Sequence, residues 1–181
     1  DKFLGYTIIL TRDLRDWLNY PRKGYALRGK LSENFGSFVL RRFDIQFEGY
    51  KTFGNLTLSS YFGYSKVFGD ERFYLMPNFI GTDDALRGNI PMERIVGKER
   101  VILSFEPRLL IFNRIPLLSK FLGGGLGISS FVDLGSMDGN LGYSFGLGFP
   151  IFLSIGNFLP AMTYNHKTGW GFYLGGLARI M

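Results

Sequence analysis

Apolar and polar side chains alternate along several segments of this chain, and this period-2 pattern constrains the fold more than any other feature. In one segment Phe43, Ile45 and Phe47 alternate with Asp44 and Gln46. Because successive residues of a β-strand point to opposite faces, one face of this strand is apolar and the other is charged. The pattern therefore predicts an all-β fold.

The same alternation recurs in nine segments, most of them separated by short turns. We predict strands at residues 4–12, 24–34, 38–50, 55–66, 100–112, 122–134, 141–152, 156–164 and 169–180. Several segments have the length of roughly ten residues that a tilted membrane-spanning strand requires. A soluble β-sandwich also alternates, with its apolar face inward, but consecutive charges on one face favour a wet lumen wall. We expect an antiparallel transmembrane β-barrel, with about eight to nine strands in this chain.

The amino-acid composition excludes several other classes of fold and of binding site. The chain contains no cysteine, so it has neither a disulfide framework nor a thiolate metal site. No run of about 18 apolar residues, as a membrane helix needs, is present. The net charge is +6, but the basic residues are spread among the strands, so we do not expect nucleic acid as a partner. The one histidine, His166, lies in an apparent surface turn.

Sequence signatures of enzymes are also missing. The chain has no phosphate loop, no paired-histidine metal motif and no nucleophile elbow. The glycine-rich stretch at residues 123–127 continues into a predicted strand and not into a helix, so it does not predict a phosphate site. We therefore expect no catalytic residues, no cofactor and no metal.

One predicted connection, residues 67–99, is far longer than the others. A loop of roughly thirty residues without its own secondary structure is usually functional. This loop contains Leu86-Arg87-Gly88, followed by Arg94 and Gly97.

Three motifs occur in a fixed order along the chain. The first is Asp13-Leu14-Arg15-Asp16, followed by Pro21 and Gly24; the second is Leu86-Arg87-Gly88; the third is Phe131-Val132-Asp133-Leu134-Gly135. Between the second and the third lie Arg94, Gly97 and the segment Glu106-Pro107-Arg108. Each motif alone is weakly specific, whereas their order and spacing together are strongly specific.

Together these motifs resemble the outer-membrane assembly and secretion barrel superfamily (surface-antigen family), to which BamA, TamA and the two-partner-secretion transporters belong. The first motif matches the pattern D-x-R-D-x-x-x-x-P-x-x-G at each fixed position, and the third matches F-x-D-x-G. The second departs from the family because Asn89 replaces an aromatic residue. The resemblance implies one domain, residues 1–181, of the carboxy-terminal barrel-half type, with residues 67–99 as a lumen loop and without a POTRA-type domain.

The resemblance also implies a site. In this family the long loop folds into the lumen, where its arginine meets acidic residues on the barrel wall. By alternation, Glu106 and Asp133 both face the lumen, so we expect them to hold Arg87, together with Gly88, in a lumen lock. The alternative is that Arg87 is a solvated loop residue and that the acids merely line a wet wall.

The resemblance implies a function without a chemical step, in insertion or translocation of proteins, or of lipids, at a Gram-negative type of outer membrane. The expected partners are outer-membrane lipid and a protein substrate. Two alternatives stay open: a passive channel or structural barrel, and the barrel of an enzyme-linked, autotransporter-like protein. The glycines of the last predicted strand, Gly171, Gly175 and Gly176, either weaken a lateral seam or make room for packing.

Strand number raises a further expectation. A barrel of about eight strands has an interior that its own side chains fill, so it has no room for the long loop. We therefore expect a wider wall of about 16 strands. The additional strands come either from a homodimer or from missing amino-terminal barrel strands.

Overall fold

The computed structural model describes residues 3–16, 20–36, 39–69, 79–80, 86–87, 95–112, 124–153 and 156–175, and within them the chain is all-β. The strands are β1 (Phe3–Asp13), β2 (Gly24–Gly36), β3 (Leu40–Phe53), β4 (Leu56–Gly69), β5 (Phe79–Ile80), β6 (Ile95–Val96), β7 (Glu99–Phe112), β8 (Gly124–Met137), β9 (Asn140–Gly148), β10 (Ile151–Leu153), β11 (Gly156–Asn165) and β12 (Gly169–Gly175). No helix in these ranges is long and apolar enough to cross a membrane.

Ten of the strands form one antiparallel sheet. Its order is β1-β2-β3-β4-β7-β8, then β9 and β10, then β11 and β12. Both β9 and β10 pair with β8 on one side and with β11 on the other, so they share one position in the order. In the described ranges the two short strands β5 and β6, in the long connection between β4 and β7, form an antiparallel pair separate from this sheet.

The two faces of this sheet differ in polarity. On β8, Phe131 and Asp133 are 2% and 0% exposed, whereas Val132 and Leu134 are 50% and 52% exposed. The same alternation of buried and exposed residues runs along β4, β7 and β9. The buried face is the inner wall of the fold, and it carries six of the eight charged residues that are buried in the described ranges; Glu33 lies on the outer face and Arg87 in the long connection.

The sheet curls, so that strands far apart in the order meet across its inner face. The ring of Tyr20, in the turn between β1 and β2, lies 3.7 Å from the ring of Phe152 in β10. A buried apolar cluster extends this contact to Leu110, Phe131, Leu159 and Ala161. The architecture is thus an antiparallel β-barrel fold.

The predicted strands occur in the structure with differences at their ends and one internal break, whereas the short strands β5 and β6 in the long connection were not predicted. The segment predicted at 141–152 is interrupted at Phe149-Pro150, because a proline has no backbone N–H to donate to a ladder. Strand β4 continues to Gly69, so the long connection begins after residue 69 and not at 67. Strand β8 begins at Gly124 and continues to Met137. Residues 176–180 of the last predicted strand lie outside the described ranges.

Candidate functional site

The paired strands β7 and β8 place three polar side chains on the same patch of the inner wall. Ser104 of β7 lies directly opposite Asp133 of β8. Glu106 is two residues further along β7, so it shares the inner face with Ser104. All three are buried. The alternation of residue types predicts this face correctly.

Arg87 of the long connection enters this patch. Its Nε and Nη2 donate to the two carboxylate oxygens of Asp133 at 2.9 and 2.8 Å, a bidentate pair. Its Nη1 donates to Glu106 at 2.6 Å, and Nη2 also donates to Ser104 at 2.9 Å. The backbone N–H of Arg87 donates to Asp133 at 3.1 Å. The predicted contact of Arg87 with both acids is therefore present, and Arg87 is only 4% exposed.

The electrostatics of Arg87 follow from this geometry. Burial alone would lower the pKa of its guanidinium, but the carboxylates of Glu106 and Asp133 outweigh burial and raise it above the usual value. Arg87 therefore stays charged, and its charge is needed to compensate two buried acids. The arrangement anchors the loop to β7 and β8.

The residues of the third motif each have a distinct contact at this site. The ring of Phe131 lies under the guanidinium of Arg87, with 3.6 Å between the guanidinium carbon and the ring centroid. Asp133 supplies the bidentate acceptor. A Cβ atom on Gly135 would lie 3.3 Å from Cδ2 of Leu86, the residue before Arg87. In the F-x-D-x-G motif, the Phe thus stacks on Arg87, the Asp pairs with its charge, and the Gly leaves space for Leu86.

Gly142 of β9, which the sequence motifs do not include, also leaves space for Leu86. A Cβ atom on Gly142 of β9 would lie 2.9 Å from Cδ1 of Leu86 and 2.7 Å from Cε1 of His166. Leu86 is 2% exposed, so it fills the space that the two glycines leave. The Gly142-x-Ser144-x-Gly146 alternation in β9 was the available signal. His166 itself stacks on Tyr143, with ring centroids 5.3 Å apart.

The charged cluster extends towards the turn between β1 and β2. Arg108 donates to Glu106 at 3.0 Å, and its guanidinium carbon lies 5.7 Å from the ring centroid of Tyr50. The hydroxyl of Tyr50 donates to Glu48 at 2.9 Å. Glu48 in turn accepts from Arg15 at 3.1 Å. The sequence identified Arg15 only as a motif residue, and its partner Glu48 was missed because the motifs do not include it.

The first motif builds the turn that presents Arg15. Asp13 binds the guanidinium of Arg15 in a bidentate pair, at 2.9 and 2.5 Å. Asp16 accepts from the backbone N–H groups of residues 22 and 23, at 2.8 and 3.0 Å. Gly24 has φ +96°, and a Cβ atom there would lie 2.1 Å from the carbonyl oxygen of Leu14. Pro21 is buried in the same turn.

Of the other predicted motif residues, Gly97 lies at the second end of the long connection. A Cβ atom on it would lie 2.5 Å from both Sδ of Met137 and Oδ2 of Asp138. Asp138 there accepts from the backbone N–H groups of Lys98 and Glu99, at 3.1 and 2.8 Å. The two remaining predicted residues, Gly88 and Arg94, lie outside the described ranges.

No group of three or more metal-ligating side chains occurs in the part of the chain that the structure describes. Comparison of the sequence with models of known protein families finds no match, and comparison with curated proteins finds none either. Function is therefore argued from the motifs and from the geometry of the described residues.

Proposed function

We propose that the protein forms part of the wall of an outer-membrane β-barrel that acts, without a chemical step, in insertion or translocation of proteins, or of lipids, at a Gram-negative type of outer membrane. The observation that carries the proposal is the apolar outer face of the sheet, set against a charged inner face. A water-soluble barrel has the reverse arrangement, because its apolar residues fill the interior.

The outer face has the height that a bilayer requires. On β3, the outward positions between Arg41 and Lys51 are Phe43, Ile45, Phe47 and Gly49. Arg41 and Lys51 are ten residues apart, about 33 Å along the strand and about 25 Å across a membrane if the strand is tilted by roughly 40°. This value matches the apolar band of about 25 Å on outer-membrane barrels.

Polar and aromatic side chains together border this apolar band. At the end that carries the long connection, Tyr64 and Lys66 both donate to Glu99, at 2.9 and 3.1 Å. At the opposite end, Nζ of Lys51 lies 5.1 Å from the ring centroid of Phe53. Amphipathic rings and long cations of this kind are typical of the two membrane–water interfaces.

Arg87 and its partners Ser104, Glu106 and Asp133, which we call the Arg87 cluster, support translocation in particular. The cluster anchors a loop inside the barrel through the residues that carry the family resemblance, namely Arg87, Glu106, Phe131, Asp133 and Gly135. A substrate that competes for these charge pairs can displace the loop that they hold. A passive channel is the second candidate, and it is favoured by the half-exposed polar side chains of Arg28, Lys30 and Gln46 on the inner wall.

A reconstitution experiment separates the two candidates. Vesicles with and without the protein receive a urea-denatured eight-stranded outer-membrane barrel, and its folding is followed by heat-modifiable gel mobility. We expect several-fold faster folding with the protein, and Glu106→Gln protein is expected to lose part of that gain. Arg41→Gln, on the outer face, is the matched control. Unchanged folding together with a steady ion conductance would instead establish a passive channel.

We further infer that the complete wall is wider than the described sheet. In the described ranges, β1 pairs only with β2, and β12 pairs only with β11. A membrane strand with an unpaired edge is costly, because lipid cannot satisfy its backbone groups. The side chains of Leu86 and Arg87 also occupy interior space that a closed barrel of so few strands needs for its own side chains.

Strand direction discriminates between the two expected sources of additional strands. The sheet has nine positions, counting β9 and β10 as one, and direction alternates at each of them. β1 and β12 therefore run in the same direction. A second copy in the same membrane orientation would place its β12 beside β1, and these two strands would be parallel. An odd number of additional strands, inserted between β12 and β1, would instead pair antiparallel with both of them. We therefore favour additional strands over the homodimer.

Cross-linking tests the wider wall. The chain lacks cysteine, so cysteine pairs placed on β1 and β12, for example Ile9→Cys with Phe172→Cys, report only on those edges. We expect no disulfide within one chain in vesicles at any register. Efficient closure within one chain would contradict the wider wall, and a mass of twice 20.6 kDa in mild detergent would support the homodimer.

A further inference from the structure

The inner wall carries a second charged region, on β2 and β3, that the Arg87 cluster does not include. Arg28, Lys30, Arg42, Asp44 and Gln46 line a small cavity there. Three of the five are cations and one is an acid, Asp44, which pairs with Arg42 at 2.8 Å. We name Arg28, Lys30 and Arg42 the cation column.

The cation column has a regular spacing. Arg28 lies opposite Gln46, Lys30 opposite Asp44, and Ser32 opposite Arg42. The three cations therefore occupy three successive inward rungs, which are two residues apart. Two residues of a strand span about 6.6 Å, so the column extends over about 13 Å along the wall.

Exposure distinguishes this column from the Arg87 cluster. The side chains of Arg28, Lys30 and Arg42 are half-buried, whereas Arg87 is 4% exposed. A half-exposed cation keeps part of its hydration and remains accessible to an anion from the lumen. An excess of positive charge along a low-dielectric wall concentrates anions there.

We propose that the cation column binds an extended polypeptide segment with acidic side chains at alternate positions. In such a segment, side chains on one face repeat every two residues, about 6.6 Å, which is the spacing of the column. Guanidinium and ammonium groups both pair with carboxylates. This inference rests on the proposed translocation function and specifies the substrate segment as acidic and extended.

The test measures binding of a fluorescein-labelled nine-residue peptide, with Glu at every second position, to the full 181-residue chain in detergent micelles. The matched peptide carries Gln at those positions. We expect the Glu peptide to bind and the Gln peptide not to bind. The double variant Arg28→Gln with Lys30→Gln should weaken binding of the Glu peptide about tenfold, because two charge contacts are lost.

The control double variant, Arg12→Gln with Lys51→Gln, removes the same charges from the outer face and should leave the affinity unchanged. Lys30→Arg should retain binding, which distinguishes loss of contact from loss of folding. Equal weakening by both double variants would overturn the proposal, because the effect would then come from net charge.

Inorganic tripolyphosphate is the second probe. Binding of tripolyphosphate without binding of the Glu peptide would overturn the peptide assignment in favour of a phosphate-bearing ligand. Membrane insertion is measured on the same variants by heat-modifiable mobility in vesicles. Normal insertion with no peptide binding would refute this inference alone, whereas failure of the unmodified chain to insert would refute the proposed function.

Discussion

The Arg87 cluster and the cation column lie on the same inner wall but differ in burial and in charge balance. In the cluster Arg87 is enclosed, and its bonds go to Ser104, Glu106 and Asp133. In the column three partly exposed cations line a cavity together with one acid, Asp44, which pairs with Arg42. The difference teaches that burial decides the role of a charge: an enclosed pair holds a structure together, whereas an exposed excess is available for binding.

The largest expected effect comes from removal of the buried guanidinium. Arg87→Ala removes the cation that pairs with the buried carboxylate of Asp133 and one of the two cations that pair with Glu106. We therefore expect a loss of about 3–5 kcal/mol in the free energy of unfolding. Urea titration of the protein in vesicles measures this loss. Limited proteolysis of the same variant should cut the long connection faster than in the parent.

The control is Arg41→Ala, which removes the pair of the exposed Arg41 with Glu33 on the outer face, where Glu33 keeps its hydrogen bond from Tyr6. Because Arg41 is 61% exposed, this change should cost less than about 1 kcal/mol. Equal losses in the two variants, or unchanged loop proteolysis in Arg87→Ala, would contradict the anchoring role.

The next effect concerns the outer face. Ile45→Lys places a charge at the middle of the apolar band of β3, which should cost about 2–4 kcal/mol near the bilayer midplane. Gln46→Lys is the matched control, because the neighbouring residue points into the lumen. If Ile45→Lys folds into liposomes as well as Gln46→Lys, the assignment of this face to lipid is wrong.

A smaller effect tests how closely the loop fits against the wall. In Gly142→Ala the added Cβ would lie 2.9 Å from Cδ1 of Leu86 and 2.7 Å from Cε1 of His166, which should cost about 1–3 kcal/mol through overpacking. The same change in a Leu86→Ala background should cost less, and a double-mutant cycle measures the coupling. Gly171→Ala is the control, since a Cβ atom there meets nothing within 4 Å. Additive losses would show that Leu86 does not occupy this space.

The smallest expected effect concerns the cation column, and it comes from a change at Lys30. Lys30→Gln should change the free energy of unfolding by less than about 0.5 kcal/mol, because the cation is partly exposed and the opposite acid, Asp44, keeps its pair with Arg42. Denaturation in vesicles provides the measurement. A loss of unfolding free energy comparable to that of Arg87→Ala would show that Lys30 stabilises the fold. The cation column would then not differ from the Arg87 cluster in its role.

Much of this architecture follows from alternation alone. The period of two assigns Phe43 and Phe47 to the outer face, and it assigns Glu106 and Asp133 to the inner one, as the structure has them. Strand ends are harder to predict, because they depend on tertiary pairing. Residues 67–69, for example, extend β4 because residues 40–42 of β3 pair with them.

The site was only partly predictable. Arg87, Glu106 and Asp133 were identified because they belong to motifs with a fixed order along the chain. Glu48 was missed, since it contacts Arg15 only after β3 brings residues 33 positions apart together. Gly142 was missed for a related reason: the alternation of small residues in β9 places it on the inner face but does not indicate that Leu86 packs there.

The central claim is that the outer face meets lipid while the inner face meets water or protein, and a spin-label scan of β3 tests it most directly. Because the chain lacks cysteine, single cysteines at positions 40–53 can each carry one nitroxide in vesicles. The account predicts that collisions with oxygen peak at 43, 45 and 47, and that a water-soluble nickel complex does not reach these positions. Equal access of the nickel complex to positions 43–47 on both faces would contradict it.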